Sequence, residues 1–176
     1  MEIPMVSKDI VKEHLFDTIG FKNRGEKVAL GIAAMGLMYH FAELHLAVNK
    51  PVILENNFEN DSKAGLLKLI ENFDCKTVTV RFHTEINVLS ERFLRRDRSP
   101  ERHRGHVVNT QYPEAAGEEA NTVEAQIKDF KDYYERMKHR GMEYFSIGGE
   151  EIIVDTTDFS KVSYGAIYKE IRKKIR

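Results

Sequence analysis

Apolar residues recur along this chain in two rhythms, short continuous runs and longer stretches at helical spacing, and their alternation predicts strands followed by helices. Ile3 to Val6 is a short apolar piece behind Pro4, and Ser7-Lys8-Asp9 supplies a cap for a helix from about Ile10 to Asp17. Gly20 to Gly25 breaks the chain. Between Glu26 and Val48, the residues Val28, Ile32, Met35 and Tyr39 recur at helical spacing, with Ala33, Ala34 and Gly36 permitting close packing, so the longest buried helix is expected here. Pro51 opens a strand at Val52 to Leu54, apolar without alternation as in a parallel strand covered on both faces.

Asn60-Asp61-Ser62 caps the next helix, with the stripe Leu66, Leu69, Ile70 and Phe73. Thr77 to Phe82 is β-branched and strand-like, and Thr84 then caps a helix carrying Ile86, Leu89 and Phe93. Gln111 to Ala120 reads as a polar loop. Asn121, with Glu124 three residues on, opens a helix bearing Val123, Ile127, Phe130, Tyr134 and Met137 that Gly141 stops. Glu151 to Val154 is a last strand, and Val162 to Ile175 an amphipathic helix with a basic end. Strands alternating with helices predict an α/β domain with a mainly parallel sheet.

With 176 residues the chain suits a single domain, 1–176, and needs no second one. Lys+Arg 27 against Asp+Glu 28 excludes a protein that coats nucleic acid through bulk charge, so any positive charge that matters is local. Cys75 is the only cysteine, which excludes an internal disulfide framework and a cysteine-based zinc site. The start has no apolar signal segment, and the uncharged run from Val28 to Tyr39 falls short of the roughly 20 residues of a membrane span. A soluble, cytoplasmic protein without membrane attachment is expected.

Three places carry chemistry. Glu55 ends the run Val52-Ile53-Leu54-Glu55-Asn56-Asn57-Phe58 at the carboxyl end of a strand, where a carboxylate can orient Mg²⁺ or a substrate hydroxyl. Asp9 follows the first strand and can accept a proton from an attacking hydroxyl, although an acidic residue there also serves as a helix cap. The segment Glu91 to His106 holds six arginines (92, 95, 96, 98, 102, 104) against three acids, and arginine forks match phosphate oxygens; a lid over about 91–110 is the expected role. The stretch Gly20-Phe21-Lys22-Asn23-Arg24-Gly25-Glu26-Lys27 is rejected as a phosphate-binding loop, because a glutamate separates glycine from lysine and a helix precedes it. Asp155-Thr156-Thr157 reads as a strand end, and the scattered histidines as packing, so no metal ligands are assigned.

Together these residues resemble the P-loop kinases related to zeta toxin, chloramphenicol phosphotransferase and polynucleotide kinase. The likeness rests on Val6-Ser7-Lys8-Asp9-Ile10-Val11-Lys12, Val52 to Phe58, the Arg102-His103-Arg104-Gly105-His106 lid and Ile152 to Thr157. It implies a three-layer, mainly parallel sheet flanked by helices, lacking the usual first strand and the G-x-x-x-x-G-K-[ST] loop. It further implies an ATP- and Mg²⁺-dependent phosphotransferase acting on a small molecule or a nucleic-acid end. Asp9 stands at the base position, Glu55 at a second acidic position, and Arg92, Arg96 and Arg102 at nucleotide- or phosphate-contacting lid positions. Lys12 and Asn57 stand on the acceptor side. Because the phosphate cradle is missing, the chain reads as truncated or inactive as written, or as a non-catalytic nucleotide- or anion-binding protein or decayed remnant. A partner chain supplying the missing strand is a further implication, with direct pairing of the Val52 and Thr77 strands as the alternative.

Overall fold

In a computed structural model that describes residues 2–114 and 130–175, four short strands form and each finds one parallel partner. β1 (Met5–Ser7) pairs with β2 (Ile53–Glu55), Ser7 lying opposite Glu55. β3 (Val78–His83) pairs with β4 (Glu150–Asp155), His83 lying opposite Asp155. The mixed α/β character and the parallel sense follow the sequence pattern. Direct pairing of the Val52 and Thr77 strands does not occur, since β2 and β3 belong to different two-stranded sheets. Each satisfies one edge with its own parallel partner, and the other edge has no pairing among the described residues.

The chain divides into two compact units, residues 1–57 with 94–129, and residues 58–93 with 130–176. In the first, β1 runs directly into α1 (Lys8–Ile19), whose N-cap Ser7 accepts the Ile10 N–H at 3.4 Å. Gly20 ends α1 at φ 73°, its N–H donating to the Phe16 carbonyl at 2.9 Å. A Cβ there would lie 2.5 Å from the Tyr112 carbonyl oxygen, so both the conformation and the space call for glycine. Asn23 then caps α2 (Arg24–Leu46) by accepting the Glu26 N–H at 2.9 Å, while the Glu26 carboxylate accepts the Lys22 N–H at 2.7 Å. Phe16, Phe21 and Val108 form the buried centre, with Leu30 and Tyr112 against it.

α2 is the longest helix described, but it does not bury the expected stripe. Lys27, Ala34, Met38 and Ala42 are inside, whereas Val28 is 48% and Ile32 69% exposed and Met35 and Tyr39 are half-buried. At about 100° per residue, the buried stripe is turned by roughly a quarter circle from the predicted one. Small residues at 34 and 42 let the helix approach α1 closely, which the bulkier Val28/Ile32 side does not. By length and composition alone α2 would pass for a membrane span, with 17% of its most apolar window buried.

In the second unit, a short 3₁₀ turn at Asn60–Ser62 leads into α3 (Lys63–Phe73), which buries Leu66 and Leu69. Phe145 is buried and stacks on Phe58 at 5.4 Å between ring centroids. The chain returns to the first unit within α4 (Ile86–Asp97). Its start is capped from a distance: Glu85 N–H donates to Thr157 Oγ1 at 3.1 Å, while Thr84 Oγ1, the expected cap, pairs with Thr156 Oγ1 at 2.7 Å. α5 (Arg104–Val107) belongs to the first unit. α6 (Phe130–His139) is followed by Gly141 at φ 81°, as predicted; its expected beginning from Asn121 to Ile127 lies outside the described residues. α7 (Tyr164–Lys174) closes the unit, capped by Ser163 and tied to β4 through Lys174 Nζ to Glu150 at 2.5 Å.

Candidate active site

The pairing of β1 with β2 places Glu55 beside Ser7 at the carboxyl ends of adjacent parallel strands, where open α/β sheets present their ligand sites. Asp9, two residues beyond Ser7, lies in the first turn of α1, where the helix dipole favours a carboxylate. Lys12 follows one turn on, half-buried, its Nζ 5.2 Å from the centroid of the Phe16 ring. Burial, followed by Lys8, lowers the Lys12 pKa; Asp9 opposes this, and Arg102 and Arg24 add to it. Glu55 and Asn57 are exposed, and between them Asn56 directs its amide at Met35 Sδ, 3.8 Å away.

Arg102 joins this group from the far side of the sequence. Its side chain is 18% exposed, with Nε 3.7 Å from Asp97 Oδ1, and that Nε is buried with no hydrogen-bond partner among the described residues. Burial and the neighbouring Arg96 lower its pKa, against the pull of Asp9, Asp97 and Glu13. Arg96 holds the same Asp97 oxygen with Nε at 3.0 Å and Nη2 at 2.9 Å. Asp9 and Lys12 thus share an electrostatic neighbourhood with Arg102, and Arg102 shares Asp97 with Arg96, so these three cations stand among the carboxylates of Asp9, Asp97 and Glu13. Cations held close together at partly buried positions strengthen one another's demand for an anion.

The segment that carries Arg102 is seated firmly on α1. Gly105 faces Phe16 so closely that a Cβ would lie 2.3 Å from the ring, and Val107 and Val108 are buried. His103 Nδ1 accepts the Gly105 N–H at 3.0 Å, which leaves Nε2–H to donate to Asp17 at 3.0 Å; the Tyr112 hydroxyl donates to the same oxygen at 2.8 Å. His106 Nε2 meets Glu13 at 2.8 Å. Burial pushes the His106 pKa down to about 3, with Arg102, Lys12 and His103 acting in the same direction and Asp9 opposing. Although a carboxylate contact normally raises an imidazole, neutral His106 satisfies this one by donating its Nε2–H to Glu13.

Lys27 completes the anchoring. Its buried Nζ donates to the carbonyls of His106 (2.9 Å) and Val108 and to Asn109 Oδ1 (3.1 Å). Burial, then Lys12, Arg24 and Arg102, lower its pKa to about 7, with Asp97 opposing. The rejected Gly20–Lys27 stretch is therefore a helix-loop-helix connection whose lysine serves the fold. The arginine segment expected to act as one lid instead divides into a helix end through Asp97 and an arm at 102–108 built into the core. Glu13, Asp17, Lys27, His103, His106 and Tyr112 were not among the candidates drawn from the sequence. The signal available was a pair of acids four apart on α1 and a pair of histidines three apart around Gly105.

Arg92 lies in the second unit, away from this group in the chain's division. Nη1 donates to the Thr156 carbonyl at 2.6 Å and Nη2 to the Thr157 carbonyl at 2.9 Å, and the guanidinium lies 4.0 Å from the Phe159 ring centroid. These contacts clamp the carboxyl end of β4.

No family model matches this sequence, and no curated protein matches it. Among solved structures, the crystal structure of a protein from Chloroflexus aurantiacus, described as a "putative kinase", is similar over 99% of this chain and 85% of its own, at 26% identity and TM-score 0.78. The fold is kinase-like. On this kinase-like frame Asp9 follows the end of β1 in the first turn of α1, and Glu55 ends the neighbouring β2.

Proposed function

We propose that the chain is a kinase-like phosphotransferase of the three-layer P-loop plan, acting on a small molecule or a nucleic-acid end. The observation that carries this reading is the grouping of Asp9 with Lys12 and Arg102 at the first turns of α1, Arg96 standing beside Arg102 through their shared Asp97. Phosphoryl transfer asks the protein chiefly for positioning and charge neutralisation, and these side chains offer both. Asp9 takes the proton of the acceptor hydroxyl. Arg102, whose Nε has no hydrogen-bond partner among the described residues, and Arg96 stabilise the charge on the transferred phosphoryl, and Lys12 and Asn57 orient the acceptor.

ATP with Mg²⁺ is the donor this chemistry calls for. Among the described residues no three His, Cys, Asp or Glu side chains form a metal-ligand set. That suits Mg²⁺ only in its usual phosphate-accompanied form, with Glu55 as the carboxylate nearest the strand ends. The β1–α1 junction, Val6-Ser7-Lys8-Asp9-Ile10, contains no glycine and provides no backbone cradle for a triphosphate. Donor binding by this chain is therefore weak, and a partner strand with a phosphate loop completes the site, the edge of β2 that has no pairing among the described residues offering it a surface.

The test measures phosphoryl transfer from labelled ATP to hydroxyl acceptors with a strand and G-x-x-x-x-G-K-[ST] loop supplied as a peptide or fusion. Asp9→Asn should retain ATP binding and lower transfer by about 10²-fold or more. Unchanged transfer in that variant removes Asp9 from its role. A non-catalytic anion-binding protein is favoured by the same lack of glycine, and predicts that Arg102→Ala abolishes anion binding with no transfer under any condition.

A further inference from the structure

α7 presents a face that folding of its unit leaves unused. The helix packs on β4 with Ile167, Ile171 and Lys174 half-buried. At about 100° per residue, Tyr164, Tyr168 and Arg172 form one exposed row, and Gly165, Lys169 and Lys173 the next. Tyr164 is 69% and Tyr168 56% exposed. Between the rows runs a shallow groove lined by Gly165, Tyr168, Lys169, Arg172 and Lys173.

The charge on this helix is only partly neutralised among the described residues. Lys174 pairs with Glu150 and Glu170, whereas Lys169, Arg172 and Lys173 have no carboxylate partner among the described residues. Arg172 instead lies 5.7 Å from the Tyr168 ring centroid. A helix dipole accounts for cations in a last turn, but it gives no reason for two tyrosines to stand in water beside them. A membrane-binding face would carry aliphatic residues where this one has glycine and hydroxyl-tipped rings.

Exposed aromatic rings interleaved with cations that have no carboxylate partner among the described residues are the chemistry of a site for single-stranded nucleic acid, in which phosphates meet the charges and bases stack on the rings. Tyr164 and Tyr168 are separated by about 6 Å along the axis at 1.5 Å per residue, which gives each ring room for one base. We propose that the Tyr164/Tyr168/Lys169/Arg172/Lys173 face of α7 binds single-stranded nucleic acid without strong sequence preference. This proposal is independent of the phosphotransfer reading, because none of the residues in that site lies on α7.

The experiment is a titration of a fluorescently labelled twelve-nucleotide oligothymidylate with the full chain, read by anisotropy at several salt concentrations. Saturable binding should weaken about tenfold or more in Tyr164→Ala/Tyr168→Ala, as for other lost base–aromatic stacks. In Lys169→Gln/Lys173→Gln the slope of log affinity against log salt should become shallower by about 1.4, two phosphates at ~0.7 each. The chain contains no tryptophan, so Tyr168→Trp should keep binding and show quenching of a lone indole as bases stack. Melting curves should stay unchanged in all three variants, since the substituted residues are exposed. Absence of binding, affinity unaffected by loss of both tyrosines, or tighter association with duplex DNA or phosphatidylserine vesicles than with the oligothymidylate would each overturn the proposal.

Discussion

Gly105→Ala and Gly36→Ala are the same chemical change and should shift stability in opposite directions. At position 105 the new methyl would lie 2.3 Å from Phe16 Cδ2, 2.9 Å from Cγ and 3.0 Å from Cε2, where carbon atoms normally rest about 3.5–4.0 Å apart. Phe16 is fully buried, with Phe21 at 5.1 Å and His106 at 5.8 Å between ring centroids, so the ring has no free volume to move into. Overpacking of this kind costs about 1–3 kcal/mol, of which at most about 1 kcal/mol is recovered because alanine favours helix over glycine. A net loss of about 2 kcal/mol is expected, a urea midpoint lower by roughly 1 M at a typical m-value near 2 kcal/mol/M. Gly36 lies in the middle of α2 with nothing within 4 Å of its virtual Cβ, so alanine there should add about 0.5–1 kcal/mol. Urea unfolding followed by circular dichroism reads both. A Gly105→Ala protein as stable as wild type, alongside the expected gain at position 36, would refute the account of the arm as core packed on Phe16.

Arg92→Ala should lower stability by about 1.5–3 kcal/mol because two charged hydrogen bonds to the Thr156 and Thr157 carbonyls are lost, whereas Arg96→Ala, which removes the half-exposed partner of Asp97, should lower it by less, at most about 1 kcal/mol. Urea midpoints in the reverse order would return Arg92 to the set of mobile phosphate contacts. With a phosphate loop supplied, Arg96→Ala and Arg102→Ala should each lower turnover by about 10²-fold or more, and unaltered kinetics in both would remove them from the site. Burial holds the Lys27 pKa at about 7 in the fold against the ordinary 10.5 of a lysine, so the unfolded chain binds more protons between those values and stability rises with pH across that window. The cost of the buried charge is full below about pH 7 and gone above 10.5; Lys27→Met should remove this rise from urea midpoints taken across the window, and an identical pH profile would contradict it. His106 acts at the other end: its pKa of about 3 lies below the ordinary 6.5 of an imidazole, so its contribution to stability should be lost as pH falls from about 6.5 to about 3, and His106→Gln should blunt that acid loss.

The order of strands and helices, the Ser7 cap and the stop at Gly141 were legible because each depends on residues within a few positions of one another. Periodicity and side-chain-to-backbone bonds are local, and a local signal survives without the rest of the chain. Asp9 and Glu55 were legible for a related reason, because a carboxylate just past an apolar run sits at a strand end wherever that strand pairs. Which side of α2 would be buried was not legible, since Val28/Ile32 and Ala34/Met38 both satisfy helical spacing and only α1 chose between them. Thr84 and Thr157 offer the same hydroxyl, and the pairing of β3 with β4 decided that the distant one caps α4. Arg92 and Arg102 look alike in one basic segment, yet one clamps carbonyls 64 and 65 residues away and the other faces Asp9. Lys27 carries no sign in the sequence that it will be buried. Its three acceptors lie 79 to 82 residues downstream, and only the folded chain brings those oxygens to the ammonium group, where they offset part of a desolvation that still lowers its pKa to about 7.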